Sequence, residues 1–85
     1  MQDPTHFLVK VTDTFNNELN YSWVRRFKVK ANTERGAISK VSRFMQLSFR
    51  KRDSYNNYKA IGAHIGAFVE DYNYDIHHHL TKGYL

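Results

Sequence analysis

The sequence predicts an α+β domain: a small antiparallel sheet in β-β-α-β-β order, with one amphipathic helix packed on one face. Three observations carry that prediction. Apolar residues alternate with period two along Thr5 to Phe15 and again along Tyr21 to Ala31. The period changes to that of a helix after Asn32-Thr33. The length of 85 residues, with 15% aromatics, suits a single domain with one thin core and little room for a deep pocket. Residues 1–72 form that domain in this reading, and residues 73–85 form a C-terminal tail.

In the first strand Phe7, Val9, Val11 and Phe15 share one face, and Leu8 lies on the other. Asn16 to Asn20 read as a turn from their Asn content. Tyr21, Trp23, Phe27, Val29 and Ala31 share a parity in the next strand, so the two runs make an antiparallel hairpin. Asn32 and Thr33 are N-cap residues, and Glu34 suits a first helical turn. On a helical wheel Ala37, Ile38, Val41, Phe44 and Met45 fall in one arc. Arg35, Ser39, Arg43 and Gln46 fill the opposite arc, with Lys40 beside them.

Leu47 to Tyr55 alternates only in part, through Leu47 and Phe49, and reads as a short strand. Asn56-Asn57 marks a turn. Tyr58 to Tyr72 fits two patterns. Ile61, Ala63, Ile65, Ala67 and Val69 alternate as a strand, while Ile61, Ile65, Phe68, Val69 and Tyr72 also make a helical stripe. Gly62 and Gly66 are poor in a helix interior and favour the strand. The tail shows neither period and is expected to fray or pack locally.

Charge is unevenly placed. Ten basic residues lie between Arg25 and Arg52 against one acid, Glu34, whereas the segments on either side are each net acidic. Such a field selects nucleic acid or an acidic protein groove as partner. The absence of Cys excludes disulfides, Cys-based zinc sites and thiol nucleophiles. No apolar run reaches the length of a membrane helix, and Met1-Gln2-Asp3-Pro4 does not begin a signal peptide, so a soluble protein with no membrane partner is expected.

The block Thr12-Asp13-Thr14-Phe15-Asn16-Asn17-Glu18-Leu19-Asn20-Tyr21-Ser22-Trp23-Val24-Arg25-Arg26 resembles a stretch of small accessory proteins from bacteriophages and prophages. The resemblance continues through Arg35 to Val41 and Gly62 to Glu70. It implies a setting, a phage or mobile element acting in the host cytoplasm, and carries no catalytic assignment. Small proteins of that setting coat nucleic acid or block a host defence complex such as a CRISPR effector.

Several residues stand out as binding candidates. Arg26, Lys28 and Lys30 fall on the open face of the hairpin, with Lys10 and Thr12. On that face they either keep the sheet soluble or track phosphates. Arg35, Lys40 and Arg43 line the outer helix face, and Arg50, Lys51 and Arg52 follow. A purely solubilising face would carry opposing acids as i,i+4 partners, and only Glu34 is present. Tyr55 and Tyr58, close behind the Arg50–Arg52 run, suit stacking on single-stranded nucleic acid, a protein hot spot, or simple packing on the core.

Arg25 has the parity of the core. It must snorkel, stack on an aromatic ring, pair with Glu18 or Asp13, or sit at a bulge. His77-His78-His79 has metal-binding chemistry, but three consecutive His do not readily converge on one ion and no Cys completes a site. No metal or cofactor is expected. His6 and His64 read as packing or surface residues.

No Gly-rich phosphate loop and no carboxylate pair with acid–base spacing is present, so no catalytic residue and no enzyme is expected. The resulting expectation is a non-enzymatic accessory protein. Its basic aromatic surface binds and inhibits a host protein or ribonucleoprotein complex, as an anti-CRISPR or other anti-defence protein does. Direct DNA or RNA binding is the alternative.

Overall fold

The computed structural model describes residues 5–74. In chain order these form β1 (Thr5–Phe15), β2 (Glu18–Ala31), α1 (Glu34–Met45), β3 (Phe49–Arg52), β4 (Tyr58–Ala60) and β5 (Ile65–Asp71). The strands make one sheet in the order β2-β1-β5-β4-β3, and each neighbouring pair is antiparallel. The chain is α+β, but its order is β-β-α-β-β-β.

The extra strand arises because Tyr58 to Tyr72 is neither one strand nor a helix. Gly62, at φ +77°, turns the chain between β4 and β5, and the two then pair, Tyr58 with Ala67 and Lys59 with Gly66. A left-handed backbone of this kind is easy for Gly and costly for the apolar residues around it. Gly66 has a different reason: a Cβ there would lie 2.4 Å from the Leu19 side chain of the neighbouring hairpin.

The β1–β2 hairpin closes earlier than the Asn content predicts. Asn16 and Asn17 both have positive φ, the signature of a two-residue primed turn, so β2 starts at Glu18 rather than Tyr21. The register then jumps. Thr12 pairs with Val24 and Thr14 with Leu19, so Asp13 alone faces Asn20 to Trp23.

Two β1 side chains hold this bulge. The Thr12 hydroxyl accepts from the Tyr21 N–H and donates to the Trp23 carbonyl, each at 2.9 Å. The Asp13 carboxylate accepts from Ser22 N at 2.9 Å and from the Asn20 amide at 2.8 Å. Hydrogen bonds from Ser22 and Asn20 keep that carboxyl well below the usual carboxylate range.

The bulge takes Tyr21 and Trp23 out of the core, against the parity expectation; they are 49% and 41% exposed. Past it Phe27, Val29 and Ala31 are buried on the core side, and Lys28 is buried as well. Arg25 stays exposed and stacks rather than pairs. Its guanidinium carbon lies 5.0 Å from the Phe27 ring centre and 5.6 Å from that of Phe44.

The core joins Phe7, Val9 and Val11 of β1 and Phe27 and Val29 of β2 to Ala67 and Val69 of β5. Ala37, Ile38 and Val41 of α1 belong to the same cluster. Full burial of a valine such as Val9 or Val41 contributes about 1.5–3 kcal/mol. The buried helical stripe is narrower than the wheel predicts. Phe44 is 54% exposed and meets Phe27 edge-on at 5.5 Å, and Met45 is only partly buried.

Thr33 caps the helix, its Oγ1 accepting from Gly36 N at 3.0 Å. Gln46 ends it in a left-handed conformation, and Leu47 N donates to Ser42 O. β3 therefore begins at Phe49 rather than Leu47. No helix among the described residues is long and apolar enough to cross a membrane. His77, His78 and His79, with most of the expected tail, lie outside the described residues.

Candidate functional site

The helix spacing of Arg35, Ser39 and Arg43 places them one turn apart along one side of α1. β3 runs beside that side and brings Arg50 to it. The three arginines line a groove of about 410 Å³ between helix and strand. Ile38, Phe49 and Tyr58 supply its apolar lining, and Ser39, Ser42 and Ser48 add hydroxyls. Ser42 is partly engaged, since its Oγ donates to the Leu47 carbonyl.

A second recess, of about 600 Å³, adjoins the groove and shares Ser39 and Arg43 with it. Lys30 and Lys40 line this one, with Asn32 and Thr33. Lys40 Nζ donates to the Lys30 carbonyl, which ties the helix to the end of β2. Five cations thus border two adjoining depressions. Among the described residues no carboxylate lines either one, and none forms an ion pair with Arg35, Arg43 or Arg50.

Glu34, the single acid of the basic block, is directed elsewhere. It accepts from the Tyr58 hydroxyl at 2.7 Å and from the Tyr72 hydroxyl, and lies 3.8 Å from Arg52. Burial opposes its ionisation, but the two hydroxyls and Arg52 outweigh burial and bring its carboxyl below the ordinary range. The same contact, helped by burial, pushes the Tyr72 hydroxyl up to about 12.

The remaining candidates lie apart from the groove or are engaged within the protein. Arg26 is half exposed but bonded to Glu70, Nε to Oε1 at 2.9 Å, and Lys10 Nζ reaches the same carboxylate at 3.4 Å. The Arg26 hydrogen bond is the first cause of a lowered Glu70 carboxyl. Lys28 is not on an open face at all. It is 3% exposed, with its Nζ 5.7 Å from the Tyr74 ring.

Arg52 is exposed but engaged by Glu34 and by the Asn56 amide oxygen. Tyr58 is 3% exposed and is core as well as groove lining, so it is not free to stack. Tyr55 is 83% exposed and lies away from the groove. Lys51 pairs through its backbone with Lys59, and its side chain lies outside what the structure describes.

Two features had no readable signal. Glu70 is 44 residues from Arg26 and 60 from Lys10, and only the β1–β5 pairing brings it near them. Tyr21 faces a recess shared with Tyr55, which follows from the bulge and not from strand parity. No protein-family model matches this chain, and neither a curated protein nor a solved structure matches it.

Proposed function

We propose that this protein is a non-catalytic binding protein that holds nucleic acid by its phosphates along the basic side of α1 and β3. The observation that carries this reading is the convergence of Arg35, Arg43 and Arg50 on one groove that no carboxylate lines among the described residues. A guanidinium presents a planar fork of donors that matches phosphate oxygens, and the groove hydroxyls add neutral donors. Lys30 and Lys40 extend the track past Arg43, which suits a polyanion rather than a single phosphate.

Each phosphate neutralised releases counterions, so affinity must fall with salt. A log K against log salt slope of about −3 to −4 is expected if most of the five cations engage. Fluorescence anisotropy of a labelled oligonucleotide over a salt series tests this. No complex at micromolar protein and physiological salt would sink the reading.

A second reading has its own support. The resemblance to phage accessory proteins, together with exposed Trp23 and Val24 on the edge strand β2, favours docking on a host protein or ribonucleoprotein complex as an anti-defence inhibitor in the host cytoplasm. There the apolar edge supplies contact area and the basic track meets an acidic patch or the RNA of the complex. A pull-down from nuclease-treated host lysate separates the two. A protein partner that survives nuclease, and that Trp23→Ala weakens, supports docking; loss of every partner removes it.

A further inference from the structure

We propose that the recess between the two hairpin tips holds one unstacked nucleobase, of the kind that carries an exocyclic amino group. This inference rests on the nucleic-acid reading above and names which part of the ligand lies where. The recess measures about 490 Å³, within the size range of small-ligand sites. One wall is the β1–β2 turn, with Asn16, Asn17 and Glu18, and Tyr21 from the bulge. The other is the β3–β4 connection with Tyr55 and Asn57.

The two walls are braced against each other. Lys59 Nζ donates to the Asn17 carbonyl at 2.6 Å and lies 3.7 Å from Asp53 Oδ2. Asp53 in turn accepts from Tyr55 N at 2.8 Å and Asn57 N at 3.1 Å, which fixes the connection. Tyr21 is set from the other side, its N–H held by Thr12 in a left-handed backbone at φ 60°. Lys59 and Asp53 are therefore engaged in building the recess.

What remains open has a definite chemistry. Among the described residues, the side chains of Asn16, Asn17 and Glu18 and the hydroxyls of Tyr21 and Tyr55 make no hydrogen bond within the protein. The Tyr55 ring, 83% exposed, offers a stacking face, and the half-exposed Tyr21 ring, which carries Lys10 Nζ 5.2 Å from its centre, offers its other face. Amides pair with base edges, and a carboxylate accepts from an amino group such as N4 of cytosine. An unpaired carboxylate repels phosphate, so the backbone belongs on the arginines and the base belongs here. Thymine or uracil offers Glu18 only a ring N3–H flanked by two carbonyls that a carboxylate repels, and is the poorer fit. β3 links the two places: Arg50 lines the groove, and the connection that follows Arg52, about 10 Å further along, walls the recess.

Fluorescence anisotropy with three single strands of equal length, oligo(dC), oligo(dT) and an abasic strand, tests the inference. The protein is expected to bind oligo(dC) more tightly than the other two, by roughly five- to tenfold over the abasic strand. Tyr55→Ala, at an exposed position where folding is not at risk, removes most of that advantage and leaves abasic binding unchanged. Glu18→Gln narrows the oligo(dC) preference over oligo(dT). Equal binding of oligo(dC) and the abasic strand, or an equal loss on both with Tyr55→Ala, overturns the base site while the phosphate groove stands. Failure of all three strands to bind overturns both.

Discussion

Arg43 on the helix and Arg26 on the sheet belong to the same basic block, and both are exposed, yet they face different surroundings. Arg26 shares Glu70 with Lys10, and nearby Lys28 is buried with its Nζ 5.7 Å from the Tyr74 ring. Arg43 sits where two depressions meet, among cations and hydroxyls. The one acid of the block, Glu34, is turned to Tyr58, Tyr72 and Arg52. A paired arginine must give up its carboxylate before it can take a phosphate, and an unpaired one need not. Where the acids fall in space, more than the net charge of +5, decides which cations are open to a partner.

Charge reversal should break this contrast most strongly. The triple variant Arg35→Glu, Arg43→Glu and Arg50→Glu is expected to lose about 100-fold or more in oligonucleotide affinity at moderate salt. All three positions are exposed, so the thermal midpoint should stay close to that of the unchanged protein. Anisotropy and a thermal melt on the same sample check both halves.

Tyr58→Phe sharpens the boundary of the site. It removes the hydroxyl bonded to Glu34 and should lower stability by about 1–2 kcal/mol in urea. Affinity should hardly change. A lower affinity with unchanged stability would move Tyr58 from the floor of the groove into the contact surface.

Glu70→Gln probes the paired face and has the smallest effect, below about 1 kcal/mol at neutral pH, because the pair is partly solvated. Its pH dependence has a definite sign. The folded carboxyl is lowered from 4.5, so its contribution is complete above that value and is lost as pH falls through the lower folded value. Urea melts from neutral to strongly acid pH should show the variant lacking that part of the acid slope. The substitution also frees Lys10 and Arg26, so low-salt oligonucleotide binding should rise slightly.

The hairpin strands and the helix were legible because their signals are local. Alternation in Phe7, Val9 and Val11 marks β1, and Thr33 followed by Ala37, Ile38 and Val41 marks the capped helix. The bulge was not legible in β2, because the groups that hold it, Thr12 and Asp13, belong to the other strand. The run from Tyr58 to Tyr72 was ambiguous because its alternation continues across the turn at Gly62.

The site divides the same way. Helical spacing alone puts Arg35, Lys40 and Arg43 on the outer side of the helix, where they are exposed. The fates of Arg26, Lys28 and Tyr58 were not legible, because each depends on a residue distant in sequence: Glu70, Tyr74 and Glu34.

Matched deletion of Arg43 and Arg26 tests the central claim most directly. Arg43→Ala and Arg26→Ala each remove one guanidinium and the same formal charge. Anisotropy with one labelled oligonucleotide over a salt series should show Arg43→Ala weakening binding by about tenfold and reducing the salt slope by about one. Arg26→Ala should leave both within error of the unchanged protein. Equal losses from the two variants would mean that net charge, and not the unpaired groove, governs binding, and would contradict the account.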